Sequence, residues 1–148
     1  MKYLSITFIL IFLRLSVFAQ IEQPVKWAYA AKKISDKEAV IFIKATIDNG
    51  WHIYSQNTKD GGPVKTSFAF APAPGYSVIG TTAEPKTITH FEKSFGMDVS
   101  YFENTVIFQQ KIKLKKDQTV VKGSLEYMTC NDHKCLPPSD VDFSVSIK

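Results

Sequence analysis

Two cysteines, Cys130 and Cys135, are the residues of this chain whose type and spacing most directly suggest chemistry. Residues 131–134 (NDHK) between them have the composition of a turn, and a four-residue loop is a common connection in β-hairpins. Such a loop places the cysteines opposite one another, with Cα atoms roughly 4.5 to 5.5 Å apart, a distance that a disulfide tolerates. The spacing therefore predicts a hairpin disulfide, with Cys130 ending one strand and Cys135 opening the next.

This disulfide is expected to contribute little to stability. Closing a loop of about six residues is worth roughly 2 kcal/mol, against about 3 kcal/mol for a 15-residue loop. Leu125 and Tyr127 share the apolar face of the strand, whereas Cys130 falls on the opposite, more polar face, so its sulfur is expected to be accessible near the turn. A short, accessible and weakly stabilising disulfide suits thiol exchange, and a purely structural bridge is the alternative.

A metal site at this hairpin is not expected. Cys130, His133 and Cys135 supply three candidate ligands, but structural zinc requires four and typically uses a second ligand pair. We interpret His133 as a turn residue.

The cysteines must be positioned by strands, because apolar and polar residues alternate in short runs along most of the chain. No window shows a convincing helical period, and two long connections, residues 55–63 and 91–100, separate the runs. Seven to nine short strands in about 130 residues indicate an all-β fold, an immunoglobulin-like antiparallel β-sandwich. The predicted strands cover residues 39–47, 64–70, 106–112, 121–127 and 141–147, with shorter ones at 27–31, 51–54, 76–79 and 87–90.

The first 19 residues are typical of a signal peptide, with Lys2 before an apolar run and small residues near Ala19. Residues 20–148 then form one exported domain. Removing Lys2 and Arg14 with this segment lowers the formal charge from +4 to +2, which argues against a nucleic-acid binder. Export also favours pairing of the two cysteines, because disulfides persist outside the cytosol.

Three sequence blocks resemble the N-terminal periplasmic domain of the thiol:disulfide interchange protein DsbD. Residues 130–138 (CNDHKCLPP) resemble its cysteine hairpin, and residues 49–55 (NGWHIYS) are similar to its Gly-aromatic-aromatic-aliphatic-Tyr strand. Residues 90–101, with Gly96 inside them, are similar to the loop that caps its active site. The blocks occur in the family's order and span most of residues 45–145.

The resemblance implies a thiol:disulfide oxidoreductase of the periplasm. A membrane-embedded donor would supply electrons to the cysteine pair in trans, because the chain stops at Lys148 without a membrane segment. The pair would then reduce thioredoxin-fold proteins, such as disulfide isomerases and cytochrome c maturation factors, without a cofactor. By position, Cys135 corresponds to the cysteine that forms the mixed disulfide, and Cys130 to the one that resolves it.

The resemblance also implies roles for residues around the sulfurs. His52, which stands where the family has tyrosine, and Tyr54 would lie beside the disulfide, where an imidazolium lowers a cysteine pKa. Phe95, with Phe91 as the second candidate, would cap the sulfurs until a partner displaces the loop. Glu92 would place a carboxylate near the pair, able to raise a thiol pKa or relay a proton.

A second hypothesis belongs to another functional class. The chain could be an exported β-sandwich that binds a ligand and carries an inert, structural disulfide. Aromatic residues such as Trp51 and Tyr76 would then face the ligand, although core packing is their more common use.

Overall fold

The computed structural model describes residues 22–148, so the predicted signal peptide, residues 1–19, lies outside the described residues. Across the described part, all regular secondary structure is β-strand, which confirms the all-β prediction. The strands are β1 (Val25–Ser35), β2 (Glu38–Ile47), β3 (His52–Tyr54), β4 (Ser67–Phe70), β5 (Tyr76–Ala83), β6 (Ile88–Glu92), β7 (Met97–Glu103), β8 (Thr105–Leu114), β9 (Thr119–Tyr127), β10 (Thr129–Cys130) and β11 (Ser139–Ile147). None of residues 22–148 belongs to a helix that could cross a membrane.

The strands form three antiparallel sheets with the orders β1-β2-β8-β5, β10-β3-β7-β6 and β11-β9-β4. Strand β2 shows why these segments are extended: its buried residues alternate with residues that are more exposed, and they are Ala39, Ile41, Ile43, Ala45 and Ile47. This period of two matches the alternation of side chains across a pleated sheet. The predicted register of apolar and polar faces is therefore confirmed here.

The main core lies between the first and third sheets. Trp27 of β1 packs edge-on against Tyr127 of β9, with 5.3 Å between ring centroids. Phe68 of β4 lies 4.9 Å from Phe108 of β8. Because these contacts join opposite sheets, the predicted β-sandwich is confirmed. Ile53 of β3 belongs to the same core, which joins the second sheet to it.

The prediction of a long connection over residues 91–100 is wrong. Strands β6 and β7 pair as a hairpin in which Glu92 faces Met97 across a four-residue turn. Asp98 and Ser100 are residue types that are common in loops, but here they alternate with the buried Val99 and Tyr101. The candidate cap is therefore the tip of a β-hairpin.

Candidate functional site

Cys130 and Cys135 form a disulfide, with a Cα–Cα distance of 4.0 Å, and they face one another as an antiparallel bridge. The turn between them is closed by Asn131, whose side-chain Oδ1 accepts hydrogen bonds from the backbone N–H groups of His133 (2.8 Å) and Lys134 (2.9 Å). Asparagine favours this kind of turn because its side chain replaces a backbone acceptor. The hairpin disulfide and the turn position of His133 are thus confirmed.

The two cysteines differ strongly in burial. Cys130 is 2% exposed, whereas Cys135 is exposed. Cys130 does lie on the face opposite Leu125 and Tyr127, but the expectation that this face is accessible is wrong, because Tyr54, Val99 and Tyr101 pack around Cys130 there. Both faces of β10 are covered, so Thr129 and Cys130 are both buried.

Cys135 does not open the next strand, contrary to the sequence prediction. It makes an isolated bridge with Cys130, and β11 begins only at Ser139. Pro137 and Pro138 stand between them and lack the N–H group that a strand needs for its ladder. The exposed cysteine therefore sits on an irregular segment at the end of the hairpin.

Strand β3 supplies the floor beneath the disulfide. His52 pairs in register with Cys130 on one side and with Glu103 on the other, and Tyr54 pairs with Tyr101. The imidazole Nε2 of His52 lies 3.1 Å from the hydroxyl oxygen of Tyr54, within hydrogen-bond distance. His52 and Tyr54 lie on one face because they are two residues apart in a strand, and Ile53 between them enters the main core.

Burial controls the charge of both floor residues. It lowers the pKa of His52 below 6.5, and this outweighs the opposing effect of the nearby Glu92, Glu103 and Asp132 carboxylates. Burial, followed by the charge of Glu92, raises the pKa of Tyr54 to about 12. Both side chains are consequently uncharged at neutral pH.

The β6–β7 hairpin places Phe95 against this floor. Its ring lies edge-on to Tyr54, with 6.3 Å between centroids, and it packs on the buried cluster that contains Tyr54 and Cys130. Gly96 takes a positive φ of 66°, which glycine adopts without steric cost, and its N–H donates to the Glu92 carbonyl (2.8 Å). Phe91 lies at the edge of the site, where 59% of it is exposed.

Glu92 shapes the rim of the site. Its carboxylate accepts a hydrogen bond from the Ser94 backbone N–H (3.3 Å) and lies 3.4 Å from the His90 Nε2. The Glu92 carboxylate thus accepts a hydrogen bond from its own turn and lies within ion-pair distance of the His90 imidazole at the mouth of the groove.

A groove of about 650 Å³ joins the two hairpins and the floor. Of the eight site residues that the sequence predicted, seven line it, and only Gly96 does not: His52, Tyr54, Phe91, Glu92, Phe95, Cys130 and Cys135. Sequence reasoning missed His90, Tyr101, Glu103 and Asp132, which also line the groove. Pairing β3 with a strand over residues 97–103 would have revealed Tyr101 and Glu103, but that strand was not recognised.

Neither of two other features of the described residues has the chemistry of this site. A groove of about 680 Å³ crosses the third sheet near Gly123, but it contains neither cysteine nor histidine. Within residues 22–148, no group of three or more His, Cys, Asp or Glu side chains is placed to hold a metal ion. The disulfide groove is therefore the candidate site.

The fold and the disulfide define the protein's class: an immunoglobulin-like β-sandwich with a cysteine pair in a hairpin beside a groove. The chain belongs to the family described as "Thiol:disulfide interchange protein DsbD, N-terminal", whose model matches residues 20–147. The predicted resemblance is thereby confirmed.

Solved structures share this fold at low sequence identity. The N-terminal periplasmic domain of ScsB from Proteus mirabilis is 18% identical, with a TM-score of 0.60; the match covers 85% of this chain and 47% of that one. The reduced DsbD N-terminal domain of Neisseria meningitidis is 19% identical, with a TM-score of 0.52 and coverages of 80% and 83%. A complex of the DsbD and PilB N-terminal domains from the same organism matches at 17% identity, with a TM-score of 0.54 and coverages of 84% and 87%. No curated protein matches the chain significantly.

Proposed function

We propose that this protein is an exported thiol:disulfide oxidoreductase of the periplasm, with residues 1–19 as its signal peptide and residues 20–148 as its redox domain. Its cysteine pair receives electrons from a membrane-embedded donor and passes them to thioredoxin-fold proteins of the disulfide isomerase or cytochrome c maturation pathways. Membership of the DsbD family supports this function. The similar ScsB domain is periplasmic, which supports the proposed compartment. The complex of a similar DsbD domain with a PilB domain supports exchange with a protein partner.

The unequal burial of the two cysteines is the observation that carries the proposal. Exchange requires one sulfur that a partner reaches and one that waits to resolve the mixed disulfide. Cys135 is exposed and Cys130 is 2% exposed, so the two roles fall on different residues. A purely structural bridge has no need for this division.

The reaction proceeds in two exchanges. The Cys135 thiolate attacks the partner's disulfide, a Cys135–partner bond forms, and one partner sulfur leaves as a thiolate. The Cys130 thiolate then attacks the Cys135 sulfur, the mixed disulfide breaks, and the second partner sulfur leaves. Two electrons and two protons pass to the partner, and Cys130–Cys135 is left oxidised.

The remaining site residues control access and environment. Phe95 covers the buried side of the disulfide through its contact with Tyr54, and Gly96 allows the turn that holds it there. Tyr54, uncharged at neutral pH, packs in the cluster around Cys130. Glu92 anchors the turn and places negative charge near the pair, which disfavours premature thiolate formation.

Two cysteine variants test the proposal. Cys130→Ser should accumulate a mixed disulfide through Cys135 and so capture the partner from a periplasmic extract. Cys135→Ser should fold, because the six-residue loop contributes only about 2 kcal/mol, and should no longer reduce any partner. Loss of the fold in Cys135→Ser, or a reduction potential far below about −300 mV, would instead support a structural disulfide in a binding module.

A further inference from the structure

Three chemically complementary residues form one row across the second sheet. Cys130 of β10 pairs with His52 of β3, and His52 pairs with Glu103 of β7. Directly opposed residues of antiparallel strands project to the same face, with Cβ atoms about 4.5 to 5.5 Å apart. The sheet therefore aligns a thiol, an imidazole and a carboxylate in that order, and all three line the groove.

We propose that His52 is the base that accepts the proton of the Cys130 thiol in the reduced protein, and that Glu103 stabilises the resulting imidazolium. This inference rests on the proposed function and assigns the resolving step. A nucleophile, a base and a group that orients the base are the usual parts of an activated nucleophile. Here they come from three neighbouring strands.

Cys130 requires such a base because of where it lies. It is 2% exposed and packs in a cluster with Tyr54, Val99 and Tyr101. Apolar burial disfavours a thiolate, while attack on the mixed disulfide requires one. With bulk water largely excluded from the sulfur, the proton must pass to a side chain, and His52 is its partner in the sheet.

The surroundings of His52 keep it ready to accept a proton. Its ring lies 4.8 Å from that of Tyr101 and 5.1 Å from that of Tyr54, centroid to centroid. Burial lowers its pKa, so the ring is neutral at pH 7. The charged and titratable groups that act on it are Glu92 and His90 from β6, Glu103 from β7 and Asp132 from the cysteine hairpin. Three of these four are carboxylates, and they favour the imidazolium once it forms.

The proton and electrons balance within the resolving step. The Cys130 S–H bond breaks and its proton moves to the imidazole of His52. The Cys130 sulfur then bonds to the Cys135 sulfur, and the bond between Cys135 and the partner breaks. The partner sulfur leaves with the electron pair of that bond and takes up the proton from the imidazolium, which returns His52 to its neutral state.

The first test uses the unmodified sequence. The titration of the His52 ring and of the Cys130 Cβ carbon is followed by NMR in the oxidised and reduced protein. We expect reduction to add an inflection to the His52 curve at the pH where Cys130 titrates, since interacting groups titrate as a pair. The nearby carboxylates are the same in both states. Identical His52 curves in the two states would overturn the proposal.

The second test measures the lifetime of the mixed disulfide formed when the reduced protein reacts with oxidised glutathione. His52→Gln should lengthen this lifetime about 100-fold at pH 7, the lower end of what a positioned base contributes. Glu103→Gln should give a smaller increase, because His52 then loses a charge that raises its pKa. His133→Gln, at the exposed turn, is the matched control and should leave the lifetime unchanged.

The outcomes separate this inference from the proposed function. If the unmodified protein forms no mixed disulfide, the proposed function fails. If it does, and His52→Gln resolves the mixed disulfide within twofold of the unmodified rate, only the role of His52 fails. Should His52→Gln not fold, the NMR comparison decides alone.

Discussion

Replacing Phe95 with alanine removes the ring that lies edge-on to Tyr54, and we expect this change to open the buried side of the disulfide. In the unmodified protein a small thiol should attack Cys135, because this residue is exposed and Cys130 is only 2% exposed. In Phe95→Ala a second product, the mixed disulfide at Cys130, should increase.

The size of the effect follows from the contact that is lost. An edge-to-face aromatic pair is worth about 0.5 to 1.5 kcal/mol beyond the area that it buries. If opening the hairpin tip breaks this pair, conformations that expose Cys130 become about 2- to 13-fold more populated in the variant. The fraction of attack at Cys130 should increase by the same factor.

The assay maps the position of the mixed disulfide. The oxidised protein is mixed with reduced glutathione, quenched with acid at early times, and its free thiol is alkylated. Trypsin then cleaves after Lys134, which lies between the cysteines and separates them into two peptides. Mass spectrometry of these peptides gives the ratio of attack at Cys130 to attack at Cys135.

A matched control lies in the same hairpin. Phe91→Ala removes an identical side chain that is 59% exposed. It should leave the ratio of products unchanged and alter the free energy of unfolding by no more than about 0.5 kcal/mol. Equal product ratios in Phe95→Ala and Phe91→Ala would contradict this prediction, and so would attack mainly at Cys130 in the unmodified protein.

Three further predictions concern stability. Glu84→Gln should lower the free energy of unfolding by about 1.5 to 3 kcal/mol in urea, because this carboxylate accepts hydrogen bonds from the Ser55 hydroxyl (2.6 Å) and the Asn57 amide (2.7 Å); an unchanged urea midpoint would contradict this. Gly123→Ala should lower the free energy of unfolding by more than about 3 kcal/mol or prevent folding, because its new Cβ would meet the Ala69 carbonyl oxygen of the paired strand. A thermal stability equal to that of the unmodified protein would contradict this prediction and show that the strands can separate there. Because folding lowers the pKa of His52, the unfolded chain takes up a proton at this residue at a higher pH than the folded chain does. The contribution of His52 to stability should therefore be complete above about pH 6.5 and decline as the pH falls toward the folded pKa. His52→Gln should flatten this part of the plot of urea midpoint against pH.

Period-two patterns made most of this fold predictable. Apolar residues recur at every second position of residues 39–47, and at Val106, Phe108 and Ile112, and these segments form the paired strands β2 and β8. Strand β7 escaped prediction because buried positions at Val99 and Tyr101 alternate with residues that are common in loops. Its pairing with β3 is set by tertiary contacts and has no local signal.

The site was predictable in its members but not in its burial. Turn composition placed Cys130 opposite Cys135, and the family resemblance brought in Tyr54 and Phe95. The burial of Cys130 depends on Tyr54 of β3 and on Val99 and Tyr101 of β7, which cover the second face of its strand, and no local pattern in the sequence marks that covering. Sequence alone therefore gave the correct face for Cys130 but the wrong accessibility.

Having a single reachable sulfur has a kinetic consequence. If electron donor and electron acceptor must both bond to Cys135, neither can occupy the protein while the other does, and turnover follows a ping-pong scheme. Each partner then inhibits the other at high concentration by binding the redox form that it cannot use. Flux through the protein is greatest when the two partners are balanced, so their relative abundance in the compartment sets the rate.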